Sequence, residues 1–347
     1  MKIVFLVINY MPHQLVSIKS VIKYYNAEVH AFNYKDEHTV PKDIENLHTY
    51  QLGSFNRNQF LNKIVEINPA MMVVAGWAVK DFVWVSKKIR NKLHIPVVSY
   101  SDTQWRGTWK QKVNSFISPW NLKKAYSYLW VAGIYQFEYA RKLGFAKNQI
   151  IYNSLSCDME LFRQTSLKHK QKDYPKNFLF IGRFVPVKGL DLLIEAWLKI
   201  EDKKGWSITL IGDGPLKENF KDIEGVEIKD FMQQELLIKE IEKAGCFVLP
   251  SIYEQWSLVI HEAAASGLPI IATENCGAAP HFVINNYNGY QIEASVESIG
   301  NALESILAMT TAELILYSQN SRILAESITP KLGAAQLRSV LNSNNFL

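Results

Sequence analysis

FLFIGRFVPVKGLDLLIEAWLK, residues 178–199, reads as an apolar run, a glycine turn, a loop carrying Arg183 and Lys188, and then a helix. A short run that is apolar throughout is the pattern of a strand buried on both faces, and such strands belong to parallel sheets covered by helices. The unit repeats downstream: strands over 207–211, 226–229, 246–250 and 269–272 alternate with helices over 215–220, 234–244 and 258–266. It also repeats upstream, with strands over 3–8, 28–33, 70–75, 96–100, 128–132 and 149–152 and helices over 15–25, 57–67, 80–92 and 135–143. Between the two series lies RQTSLKHKQKDYPK, residues 163–176, a polar stretch without periodicity that marks a domain boundary. The expectation is an α/β chain of two doubly wound, Rossmann-like domains facing each other across a cleft. They span residues 1–165 and 166–328, with a terminal helix over 329–347 returning to the first.

Composition agrees with two buried cores: 347 residues, 48% of them hydrophobic. The opening MKIVFLVINY is too short an apolar run for a signal sequence and reads as a first strand, and no run approaches the ~18 to 20 apolar residues of a membrane span. Cys157, Cys246 and Cys276 are odd in number and scattered, without the spacing of a zinc site, so a reduced, cytoplasmic compartment is expected. The net charge of +5 conceals an asymmetry, because residues 1–165 hold 21 Lys/Arg against 11 Asp/Glu. Nothing resembling a nucleic-acid module accompanies that excess, so an anionic acceptor or an anionic membrane surface is the expected partner and nucleic acid is not.

Two carboxylates stand out in SIYEQWSLVIHEAAASG, residues 251–267. A helix here starts after Ser257 as N-cap, packs through Leu258, Val259, Ala263 and Ala264, and stops at Gly267. Glu254 precedes it and Glu262 lies in its second turn, where a surface glutamate is the plainest explanation. Arg183 and Lys188, at the carboxyl end of a strand and beside a helix start, suit a diphosphate and equally suit a solvated loop. Gly182, Gly212 and Gly214 sit in glycine turns that let backbone approach a ligand, or serve only as tight turns.

Taken in order, GRFVPVKG, LIGDGP, PSIYEQWSLVIHEAAASGLPIIAT and NGY at 288–290 resemble the donor domain of the retaining, nucleotide-sugar-dependent glycosyltransferases of GT-B fold. This is the glycogen-synthase-like family four, whose hallmark is Glu-x7-Glu. The resemblance implies that Glu262 accepts from ribose hydroxyls, that Glu254 contacts the donor sugar, and that Arg183, Lys188 and the helix start at Ser257 and Leu258 hold the diphosphate without a metal. It implies Phe231 against the nucleobase, where a core aromatic is the competing explanation. Gln255, Trp256 and Ser257 replace the family's Gly-Phe-Gly, so Trp256 either lines the donor pocket or anchors its loop. NYMPHQ replaces the Gly-Gly loop after strand one. Asp102 is the acceptor-side or base candidate, with a helix N-cap as its ordinary role, and His13 is a second.

The resemblance implies an enzyme, expected in the cytoplasm, that moves a sugar from a nucleotide-diphosphate sugar to a glycan or lipid-linked acceptor, with retention, in polysaccharide or glycoconjugate assembly. No cofactor is expected. A nucleotide-sugar epimerase of the same fold and a non-catalytic sugar-nucleotide-binding subunit are the alternatives. Residues 87–124 hold nine Lys/Arg against Asp102 alone, with Trp105, Trp109 and Trp120 interleaved, which suggests peripheral attachment to the inner face of a membrane.

Overall fold

The computed structural model describes residues 1–35, 40–41 and 43–343. The chain divides into two compact units, Met1–Ser156 with Ile328–Leu347, and Cys157–Ser327. Residues 157–165, which the sequence pattern places with the first domain, fall in the second unit.

The first unit is built on a seven-stranded parallel sheet of β1 (Lys2–Val7), β2 (Glu28–Asn33), β3 (Leu47–Gln51), β4 (Met71–Ala75), β5 (Val97–Ser101), β6 (Tyr128–Val131) and β7 (Ile150–Ile151), in the order β3-β2-β1-β4-β5-β6-β7. Its helices are α1 (Pro12–Tyr25), α2 (Arg57–Ile67), α3 (Lys80–Leu93), α4 (Trp109–Ile117), the single turn α5 (Leu122–Ala125) and α6 (Ile134–Lys142). β1 and β4 are buried almost end to end, which is why their sequences are apolar without alternation. The apolar pattern does not reveal β3: it is an edge strand, only half-buried, and its LHTYQ lacks an apolar run.

The second unit begins with the short helices α7 (Met159–Phe162) and α8 (Leu167–Lys170). Its six parallel strands are β8 (Asn177–Ile181), β9 (Ser207–Ile211), β10 (Val226–Lys229), β11 (Cys246–Leu249), β12 (Ile270–Thr273) and β13 (Gly289–Ile292), ordered β10-β9-β8-β11-β12-β13. The helices are α9 (Leu190–Lys199), α10 (Gln234–Glu242), α11 (Leu258–Ser266), α12 (Ala279–Phe282), α13 (Val296–Ala308) and α14 (Thr311–Ala325). The segment read as a helix over 215–220 is only a 3-10 turn at Lys217–Phe220. NGY marks an edge strand: buried Asn288 ties Phe282, Ile284 and Ser321 together, and a Cβ on Gly289 would sit 1.8 Å from the Ile270 carbonyl oxygen.

The last helix, α15 (Pro330–Ser343), belongs to the first unit. Ala334, Leu337 and Val340 join Ile18 and Val21 of α1 in the core over one face of the sheet. No single helix among the described residues is long and apolar enough to cross a membrane.

Both sheets reverse their winding direction once, between β1 and β4 in the first unit and between β8 and β11 in the second. Loops leaving neighbouring strands there diverge to opposite faces and open a crevice at the carboxyl ends, the general place for a ligand in such sheets.

Candidate active site

In the second unit, the loops that leave β8 and β11 bring most of the expected residues together. The β8 loop carries Gly182, Arg183 and Lys188, and the β11 loop carries Glu254 and leads into α11. Ile252 N–H donates to the Val187 carbonyl at 2.9 Å, and a Cβ on Gly189, at φ +66°, would lie 2.2 Å from the Pro250 oxygen, so the two loops pack backbone to backbone. That close packing holds the Lys188 ammonium against the Glu254 carboxylate in an ion pair. Their side chains are 13% and 17% exposed, so water screens the pair less than it would a surface bridge. Arg183 lies in the same loop and is exposed.

Gly212, at φ +152°, has a different reason to be glycine from ligand approach: its Cβ would lie 1.9 Å from the Gly182 carbonyl oxygen. Its place is beneath the β8 loop, which it supports. Gly182 N–H donates to the Ile211 carbonyl at 3.0 Å, and Phe184 N–H to the Asp213 carbonyl at 2.8 Å.

α11 begins where the sequence places it, after Ser257, but Ser257 does not cap it. The residue adopts a left-handed φ of +78° and its hydroxyl makes no capping bond. The first-turn amides therefore have no side-chain acceptor from the cap residue, and no acidic residue stands in that turn. The left-handed conformation suits glycine better than serine, so Ser257→Gly is expected to leave stability unchanged or raise it by up to about 1 kcal/mol. A lowered denaturant midpoint would instead show that the hydroxyl holds the loop.

Trp256 is a correction to the donor-lining expectation. Its ring is 2% exposed and packs against His281 and Phe282, with centroids at 5.4 and 6.2 Å, so it anchors the loop from beneath. Leu258 is partly buried at the first position of α11. Phe231, by contrast, stands 69% exposed just past β10, which rules out the core explanation.

Glu262 is no surface glutamate: it is 7% exposed, and one carboxylate oxygen accepts from Gln234 Nε2 of α10 at 2.9 Å. Burial pushes its carboxyl up to about 7, with the Gln234 hydrogen bond opposing in part. The neighbouring His261 holds the helix in place. Its Nδ1 accepts from the Cys157 amide at 3.1 Å, which leaves Nε2–H to donate to the Ala325 carbonyl at 3.1 Å, and burial keeps the ring neutral with a pKa of about 4. Gln234, the hydrogen-bond partner of Glu262, and His261, a buried anchor of α11, are residues that sequence reasoning missed. Nothing in their local pattern separates them from surface and core positions.

Asp102 belongs to the first unit. It follows β5 and lines a cavity of 440 Å³ with His13, Gly76, Trp77, Tyr100 and Ser101, at the point where that sheet reverses between β1 and β4. The N-cap explanation fails, because α4 is capped by Thr108, whose Oγ1 accepts from the Gln111 amide. Burial lowers the His13 pKa to about 4, so the ring faces the cavity as a neutral hydrogen-bonding group.

Residues 162–320 match the model of the family Glycosyl transferases group 1. An uncharacterized glycosyltransferase of Methanocaldococcus jannaschii is 32% identical over 183 residues, 47% of this chain and 49% of that protein. An uncharacterized 41.2 kDa protein in the cps region of Klebsiella pneumoniae is 29% identical over 189 residues, 52% of this chain and 51% of that one. The chain spans about half the length of these curated relatives. Anabaena HepE, solved in complex with UDP, superposes with a TM-score of 0.77 at 16% identity, over 99% of this chain and 100% of that one. The fold is that of GT-B glycosyltransferase structures.

Proposed function

We propose that the chain is a retaining, metal-independent glycosyltransferase that takes a nucleotide-diphosphate sugar into the second unit and passes its sugar to a glycan or lipid-linked acceptor. The observation that carries this reading is the Lys188–Glu254 pair next to the uncapped start of α11, with buried Glu262 one turn further in. The diphosphate draws Lys188 from Glu254 and accepts from the first amides of α11, with Arg183 at the rim. Glu254, released, accepts from sugar hydroxyls, and Glu262 accepts from the ribose.

When the bond from the anomeric carbon to the diphosphate breaks, the electron pair goes to the phosphate oxygen. Cations and amides aimed at that oxygen stabilise the transition state more than the ground state. The acceptor hydroxyl forms the new bond on the same face and gives its proton to the departing phosphate. Asp102 and neutral His13 are assigned to orienting the acceptor. A cytoplasmic location accords with three buried, free cysteines.

UDP is the first probe, because the Anabaena neighbour was solved with it. The reading is tested by release of the nucleoside diphosphate from UDP-, GDP- and ADP-sugars with and without glycan acceptors, and by the product's anomeric configuration. Hydrolysis alone, or inversion, would overturn it. Phe231→Ala should leave the unfolding temperature unchanged, since the ring is exposed, and weaken nucleoside diphosphate binding by about tenfold through lost stacking. Unchanged affinity in calorimetry removes Phe231 from the base site.

A further inference from the structure

α4 is amphipathic but turned outward. Its one fully buried residue is polar Gln111, whose Oε1 accepts from the Arg106 amide at 2.7 Å and whose Nε2 donates to the Gln104 carbonyl at 2.6 Å. Asn114, on the same side, hydrogen-bonds Tyr139. The apolar residues point away from the core: Trp109 is 70% exposed, Val113 48%, Phe116 74%, Ile117 39% and Trp120, in the turn that follows, 61%. Spacings of four, three and four residues put Trp109, Val113, Phe116 and Trp120 on one side of the helical path. An ordinary surface helix would bury such a stripe.

The charge around the stripe is of one sign. Arg106, Lys110, Lys112 and Lys124 are exposed, and no Asp or Glu occurs between residues 103 and 137. Lys88 is exposed on α3, which packs against α5 just beyond the stripe. Trp105, by contrast, does not join the stripe: it packs against Tyr139 at 5.7 Å.

We infer that the outward side of α4, with Trp120, docks the first unit on an anionic lipid surface, the helix lying in the headgroup plane. Tryptophan and phenylalanine beside lysines suit that interface, where the rings enter the acyl boundary and the ammonium groups meet lipid phosphates. A protein partner fits less well, because protein interfaces are depleted in lysine. With nine residues the helix is about 13 Å long, far short of a bilayer's thickness, so it lies on the membrane. Residues 102–108 join α4 to β5 and begin with Asp102 and Thr103 of the cavity wall. Docking therefore brings that cavity close to the lipid surface. A lipid-linked acceptor follows only if the transfer reading holds; the docking itself does not depend on it.

The test is co-sedimentation of the full chain with phosphatidylcholine vesicles, with and without phosphatidylglycerol, at low and high salt. Wild type should pellet with the anionic vesicles and be released in part by salt. Trp109→Ser with Phe116→Ser and Trp120→Ser should lower the partition coefficient by about tenfold or more, as should Lys110→Glu with Lys112→Glu on anionic vesicles. All these side chains are exposed, so the unfolding temperatures should stay near that of wild type. Wild type left in the supernatant overturns the proposal, as does a stripe variant that pellets like wild type. A dimer that the stripe substitutions dissolve, with no capture by vesicles, would make a second copy the occupant instead. Sedimentation does not depend on turnover, so failure here leaves the transfer reading standing, and the converse also holds.

Discussion

Lys188→Ala should lower kcat/KM by 10²- to 10³-fold, on the order of the loss when a single charge stabiliser of a transition state is removed. The ammonium is held on a loop packed backbone to backbone against the β11 loop, so its position owes little to its own flexibility. Arg183→Ala should cost less, because Arg183 is exposed and its field is screened by water. Removing Lys188 takes away the ammonium that pairs with Glu254, and because that pair is mostly shielded from water the stability cost should be about 1–3 kcal/mol, more than for a surface bridge. Two roles for Lys188 can be told apart with bare nucleoside diphosphate. If Lys188 holds the diphosphate, Lys188→Ala weakens that binding and Glu254→Ala does not. If it only positions Glu254, neither variant changes nucleotide affinity and the two lose turnover equally. Near-normal turnover by a folded Lys188→Ala removes it from catalysis.

Glu262→Ala should weaken nucleoside diphosphate binding on the order of 100-fold, since hydrogen bonds to a charged acceptor contribute about 1.5–3 kcal/mol. Burial raises the Glu262 carboxyl from 4.5 to about 7, so near neutral pH the unliganded chain is partly protonated there. Ribose hydroxyls that donate to this carboxylate favour its ionised form, so nucleotide binding should release a proton. Affinity should then rise as pH increases towards about 7 and level off above it, and Glu262→Gln should abolish that slope. Stability runs in the opposite direction. Because the folded pKa is raised, this group's contribution is fully present below 4.5 and is lost as pH climbs through about 7. The stability of Glu262→Gln relative to wild type should therefore improve over that window. Calorimetry in buffers of different ionisation enthalpy reads the proton. Wild-type affinity that is flat across the window would show that the ribose does not meet this carboxylate.

Much of this molecule is written in local patterns. Short runs rich in apolar residues identify eleven of the thirteen strands among the described residues: β1 and β4, covered on both faces, are apolar along nearly their whole length, whereas VEIK of the edge strand β10 alternates. The Glu254–Glu262 spacing and the limits of α11 are equally visible, since Gly267 ends the helix in a left-handed turn whichever neighbours surround it. The strands that escape, β3 and β13, lie at sheet edges, where half-burial leaves no continuous apolar run.

Other properties depend on neighbours remote in the chain. Glu262 titrates near 7 because α10 and the rest of the second unit exclude water from it, and the helical periodicity of α11 is the same whether that residue is wet or dry. Gly212 is required by the Gly182 carbonyl, and Trp256 is an anchor because His281 and Phe282 lie under it. α4 shows the division most sharply. The sequence pattern does not mark it as a helix, and which of its sides faces inward is settled by Gln104, Arg106 and Tyr139, which engage its polar side. Periodicity along a chain reports how much apolar surface an element carries. Where that surface goes, and what a buried charge meets, are set by contacts that form only when distant segments pack together.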